Sequence, residues 1–277
     1  MRLVTFEAAG APGILVPGVI EGDKVRSIDL PSLVDFIAAG LSAADGAEYS
    51  LDEVRLAAPI PTPPAIRDFF VFEQHVATAR GRRGLDVPDF WYREPVFYFS
   101  NPAAVIGPAD DLVYPTGVAE LDYELELAAV IGADGAIAGF TIMNDWSARD
   151  LQREETTVGL GPAKAKDFAT SLGPWLVTVD EFDGRVGTMT ARVNGVEYSR
   201  GELATAYYSW DQILDRAGRN TRLVSGDVIG SGTVGSGCIL ELGTGAWLRP
   251  GDEVELEVQG IGILKNTVVP SRSRTPG

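Results

Sequence analysis

Short apolar runs broken by glycine and proline turns recur along almost the whole chain, a pattern that leaves little room for long helices. Near the start, Pro12-Gly13 precedes Ile14-Leu15-Val16, Pro17-Gly18 precedes Val19-Ile20, and Glu21-Gly22-Asp23 leads into residues 25–28. Further strands are predicted at 96–99, 120–131, 137–143, 175–179, 188–193, 239–242 and 253–258. Helices are predicted at about 31–39, 68–80, 147–155 and 210–216. Runs of strands with few helices imply a mixed α/β, mainly β fold with largely antiparallel sheets, and argue against a doubly wound α/β sheet. Pro59, Pro61, Pro63 and Pro64 form a rigid connector. It divides the chain into a small β-rich N-terminal domain, 1–62, and a larger domain, 63–277.

A formal net charge of −16 disfavours nucleic acid and anionic membrane surfaces as partners. The basic segment Arg80-Gly81-Arg82-Arg83-Gly84 is too short to reverse this, and reads as a solvated loop or as a clamp for a substrate carboxylate. One cysteine, Cys238, excludes a disulfide framework and a multi-cysteine zinc site. No apolar run reaches membrane-spanning length, and residues 1–7 read as a strand and not as a secretory signal, so a cytoplasmic location is expected.

The chain has a single histidine, His75, so any imidazole acid–base chemistry must use it. Asp68 stands seven residues earlier, on the same face if one helix carries both. The alternative makes Asp68 a helix cap and His75 a surface residue. Glu124 and Glu126 are spaced so that one strand would set both carboxylates on one face. If that face is buried, the pair needs a cation; if it is wet, the two are ordinary surface charges. Glu253, Glu255 and Glu257 alternate with Val254, Leu256 and Val258 in the same way and read as a half-exposed strand. Residues 144–152 follow a strand and open a helix, with Asp145 near its start and Arg149 and Gln152 on one face. Arg149 there is either functional or the salt-bridge partner of a nearby acid. Lys166, taken alone, reads as a surface lysine. The glycines of 230–235 match dinucleotide-binding spacing, but a strand, not a helix, is expected after them, so the segment reads as a backbone-exposing loop.

These pieces in this order resemble the fumarylacetoacetate hydrolase family over roughly residues 60–270: Asp68 with Gln74-His75, Asp122-Tyr123-Glu124-Leu125-Glu126, residues 144–152, Lys166-Asp167-Phe168, Gly232-Thr233 and Leu240-Glu241-Leu242. The resemblance implies a mixed β-sandwich roll behind a small N-terminal domain, commonly as a homodimer. It also implies a divalent cation held by Asp68, Glu124, Glu126 and Asp145, and an all-oxygen donor set suits Mg²⁺ or Ca²⁺, with Mn²⁺ also suitable, over zinc. In the same resemblance His75 matches a general base and Glu241 the acid that orients it. Arg149, Gln152 and Lys166 match oxyanion-stabilising groups, and Thr233 matches a residue at the substrate carboxylate end; Phe70, Arg83 and Gln152 are also expected to contact substrate. Thr78 stands where the acylpyruvase-like branch has a glutamate, which moves the resemblance toward the fumarylacetoacetase-like branch. Phe70 in turn replaces that branch's tyrosine, which implies a different pocket. The implied activity is cation-dependent hydrolysis of a C–C bond in a 1,3-diketone or β-keto acid by water activated at His75 and Glu241. The alternative is decarboxylation or enol–keto isomerisation of an oxo-diacid at the same site.

Overall fold

The computed structural model describes residues 1–41, 45–108 and 110–271. The protein is mainly β, with few and short helices, as the turn-punctuated apolar runs require. A large twelve-stranded sheet runs Glu48–Ser50, Lys24–Ser27, Leu15–Glu21, Arg2–Ala8, Thr170–Thr178, Ile137–Asp145, Leu125–Ile131, Val228–Gly230, Ile66–Phe69, Phe97–Ser100, with Val54–Ala57 and Val105–Ile106 paired alongside. A five-stranded sheet runs Val196–Glu202, Thr188–Val193, Glu253–Val258, Gly262–Val269, Leu112–Val113. Arg2–Ala8 pairs with Thr170–Thr178, so the N-terminal strands extend the same sheet that carries the central ones.

The two sheets face each other across the main core. Leu127, Ala129, Ile131 and Ile142 of the large sheet meet Met189, Ala191, Val254, Leu256 and Leu264 of the small one. The alternate residues Ala128 and Val130 turn to a second core with Leu3, Ile66 and the helix Leu33–Ala38, through Leu33, Phe36 and Ile37. Leu125–Ile131 is therefore buried on both faces, which explains its nearly continuous apolar sequence. Glu126 shares its side of the pleat with Ala128 and Val130, so its carboxylate is carried into the protein and not out to water. The Glu253–Val258 strand, by contrast, alternates half-exposed glutamates with buried aliphatics, and those glutamates pair with Arg192 and Lys265 at the surface.

Three local expectations are corrected. Asp68 neither caps nor belongs to the helix of His75: residues 66–69 form a fully buried strand, and the helix is Glu73–Gly81. Residues 239–242 form a one-turn helix, not a strand, because the Asp122 carboxylate accepts from the Ile239 and Leu240 amides at 2.8 and 3.0 Å. That helix start is thus already occupied by an anion, which disposes of nucleotide binding by the glycine loop before it. The predicted strand 120–131 breaks at Tyr123-Glu124: Leu121–Asp122 pairs with Ser147–Ala148, and the long strand begins at Leu125. Among the described residues no helix is long and apolar enough to cross a membrane.

Candidate active site

Four strands of the large sheet converge on one point. Asp68 lies opposite Gly230 in the parallel pair Ile66–Phe69 with Val228–Gly230, and opposite Tyr98 on its other side. Gly230 in turn faces Ala128, and Glu126 faces Met143 two residues before Asp145. The side chains of Asp68, Glu124, Glu126 and Asp145 each place a carboxylate oxygen within 4.8 Å of the others, and all four residues are buried. Glycine at 230 keeps this space open: a Cβ there would lie 2.5 Å from Asp68 Oδ1 and 3.1 Å from Glu126 Oε2.

Cations surround one side of the cluster. Lys166 bonds both Glu124 and Asp145, and Arg149 reaches Glu124 Oε1 and Asp122 Oδ2, each at 2.8 Å. Lys166 is only 4% exposed, so the surface-lysine expectation is corrected: the Ser147–Ala148 strand and the 163–167 turn draw it inward, where opposite charges compensate its burial. Both oxygens of Glu124 are thereby satisfied. Burial drives its carboxyl upward, but Lys166 and Arg149 outweigh this and hold it below the ordinary range. The other three behave oppositely. Burial, then the Asp145 charge, pushes Asp68 well above the ordinary range; burial, then Asp68, does the same to Glu126; and burial also raises Asp145.

Asp68 Oδ1, Glu126 Oε2 and Asp145 Oδ1 are buried without any hydrogen-bond partner. Buried anionic oxygens without partners are costly, and a hard divalent cation among them would satisfy all three at once. The donor set is all oxygen and anionic, so the residues present fit such an ion. In the cation-free protein the raised carboxyls hold protons more tightly than the unfolded chain does. Stability from that source is full below the ordinary values of 3.8 and 4.5 and is lost as pH rises through the folded values. Glu124 has the opposite sign, but its contribution fades only below 4.5. The melting midpoint of the chelated protein is therefore expected to fall as pH rises above the ordinary carboxyl values, and saturating Mg²⁺ should remove the fall. A midpoint that rises over this range with chelator present would contradict the charge balance.

The sole histidine stands beside this cluster. His75 Nδ1 lies 2.7 Å from Glu241 Oε2, and Phe70 packs edge-to-face on the imidazole at 5.2 Å. The Ser236 and Gly237 amides donate to Glu241 at 3.1 Å, which fixes the carboxylate against the ring. A cavity of about 500 Å³ opens over His75, Asp68, Glu124, Glu126 and Lys166, walled by Phe70, Phe97 and Leu240. Gln152, Arg83 and Thr233 also line it. The Thr233 hydroxyl donates to Glu126 Oε1 at 3.2 Å, and Gln152 Oε1 accepts from Arg149 at 3.1 Å. Gly232 has φ +81°, and a Cβ there would collide with the Phe69 carbonyl, so this glycine serves the close approach of the loop to the Asp68 strand. All twelve residues singled out in the sequence thus gather around one cavity or its buried wall. Two further participants have no role in the sequence reading. Tyr98 donates to Asp145 Oδ2 at 2.6 Å, and Asp122 ties Arg149 to the one-turn helix that carries Glu241. Asp122 was visible as the first of three alternating acids, whereas nothing in the strand around Tyr98 distinguishes it from packing aromatics.

A mainly β protein with a buried carboxylate cluster beside a His–Glu pair is a defined architectural class, and comparison with known proteins identifies it. The chain belongs to the fumarylacetoacetate hydrolase family: residues 65–269 match the model described as fumarylacetoacetate (FAA) hydrolase C-terminal. It is 30% identical over 289 residues to the oxaloacetate tautomerase YisK of Bacillus subtilis, covering 95% of this chain and 89% of that protein. The solved structure of a 5-carboxymethyl-2-hydroxymuconate delta-isomerase from Mycobacterium smegmatis superimposes with TM-score 0.78 at 29% identity, over 98% of this chain and 100% of the other. A fumarylacetoacetate hydrolase from Exiguobacterium antarcticum gives TM-score 0.81 at 27% identity, over 98% and 100% of the two chains.

Proposed function

We propose that this protein is a divalent-cation-dependent enol–keto tautomerase or isomerase of a 2-oxo diacid. The observation that carries the reading is the placement of one oriented base, His75, at the edge of a carboxylate cluster with three unsatisfied oxygens, inside one cavity. The tautomerase and isomerase relatives support it over the hydrolytic preference drawn from the sequence. Mg²⁺, Mn²⁺ or Ca²⁺ would be held by Asp68, Glu126 and Asp145, with Glu124 shared with Lys166 and Arg149. When bound, such an ion supplies positive charge that attracts the oxo-acid oxygens and makes the neighbouring C–H more acidic.

The residues of the chain then have separate tasks. Glu241 faces Nδ1 of His75, which makes Nε2 the basic nitrogen. His75 takes a proton from the carbon beside the carbonyl, and one proton is returned to oxygen; in the reverse direction oxygen gives and carbon receives. No C–C bond changes. Lys166, held protonated by Asp145 and Glu124, presents fixed positive charge beside the developing enolate oxygen. Phe70, Phe97 and Leu240 keep bulk water from the carbon that exchanges its proton.

Hydrolysis is the second reading, because the same His75–Glu241 pair is suited to activating a water molecule. Incubating the protein and Mg²⁺ with enol-oxaloacetate, an acylpyruvate and a β-diketone distinguishes the two. Faster loss of the enol absorbance, with no new carboxylic acid and no carbon dioxide, is the expected result. Cleavage of the diketone or acylpyruvate into two fragments, with enol decay unchanged, would overturn the proposal in favour of hydrolysis.

A further inference from the structure

Asp145 divides its two oxygens unequally. Oδ2 receives both the Tyr98 hydroxyl, at 2.6 Å, and the Lys166 ammonium, whereas Oδ1 has no partner and is buried. The carboxylate is only as well aimed as the groups that hold Oδ2. Lys166 is a weak guide by itself, because it also serves Glu124 and its ammonium has no preferred plane. Tyr98 is different: its ring is carried by the strand Phe97–Ser100 directly opposite Asp68, and its hydroxyl donates to Oδ2 from a rigid ring. The Lys166 ammonium lies 5.8 Å above the same ring, so the phenol constrains both partners of Oδ2.

We infer that Tyr98 is the positioning residue of the cation site, holding Asp145 Oδ2 so that Oδ1 faces the space shared with Asp68 and Glu126. The inference rests on the cation reading above and not on the reaction. The chain thereby binds its edge strand to the metal site: Phe97–Ser100 contributes no ligand, yet sets the aim of one.

The test is Mn²⁺ binding, followed by the electron spin resonance signal of the free ion, in the full-length wild type and in Tyr98→Phe. The phenylalanine variant keeps the ring and its contact with Lys166. It is expected to bind Mn²⁺ roughly 10–100-fold more weakly. It should also need correspondingly more Mn²⁺ for half-maximal turnover, with kcat at saturating Mn²⁺ close to that of the wild type. Unchanged Mn²⁺ affinity would overturn the inference, as would a fall in kcat at saturation with unchanged affinity, which would make Tyr98 a group acting on substrate. Should Tyr98→Phe fail to fold, Tyr98→Gln, which keeps a donor, is expected to bind Mn²⁺ several-fold more tightly than Tyr98→Leu; equal affinities would overturn the inference. A wild type without Mn²⁺ affinity removes the cation reading and this inference together.

Discussion

His75→Asn is expected to lower turnover by roughly 10²–10⁴-fold while leaving the fold and Mn²⁺ affinity intact. Asparagine keeps a polar group against Glu241 but cannot exchange a proton near neutral pH. The chain has no second histidine to take over. The carboxylate cluster of Asp68, Glu124, Glu126 and Asp145 is complete without the ring, whose Nδ1 faces Glu241, itself held by the Ser236 and Gly237 amides. Loss of activity should therefore be separable from loss of metal. Circular dichroism, Mn²⁺ titration and steady-state rates on one preparation check this. Undiminished turnover would exclude His75 as the base in either reaction class.

Asp68→Asn should move two properties in opposite directions. Asp68 contributes an unsatisfied oxygen to the cluster, and its charge is disfavoured by burial and by Asp145. An amide of the same shape removes that repulsion. The cation-free variant is thus expected to melt higher than the cation-free wild type, with the gap widening as pH rises. Removing one partner of a buried charge pair costs about 2–5 kcal/mol of binding, so Mn²⁺ affinity should drop roughly 30-fold to several thousand-fold. Differential scanning calorimetry with chelator and with excess Mn²⁺ reads both effects. A variant less stable than wild type under both conditions would mean that Asp68 serves packing alone.

Much of this site was legible in the sequence through the ordered motifs of the family resemblance. Residue types alone singled out one imidazole, but left Glu124 and Glu126 indistinguishable from the surface pattern of Glu253, Glu255 and Glu257. What the sequence hid lies in tertiary contacts. Residues 239–242 are apolar enough for a strand, but the Asp122 carboxylate, from a distant segment, caps them into a helical turn. Asp68 follows a proline connector and precedes a helix, so local signals suggest a cap, whereas pairing with both Val228–Gly230 and Phe97–Ser100 makes it a central-strand residue. Lys166 looks solvated until Glu124 and Asp145 are brought to it. Tyr98 carries no local mark because a phenol that packs and a phenol that aims a carboxylate have the same neighbours in sequence. The split of the 120–131 strand was likewise invisible, since Ser147–Ala148, which pairs with Leu121–Asp122, comes from the far side of a hairpin.

Anomalous diffraction from crystals grown with Mn²⁺ would locate the ion on which the whole reading turns. One strong peak is expected within about 2.0–2.6 Å of Asp68 Oδ1, Glu126 Oε2 and Asp145 Oδ1, with His75 outside its coordination sphere. No peak among these carboxylates at saturating Mn²⁺, or a Lys166 ammonium holding them together in its place, would contradict it.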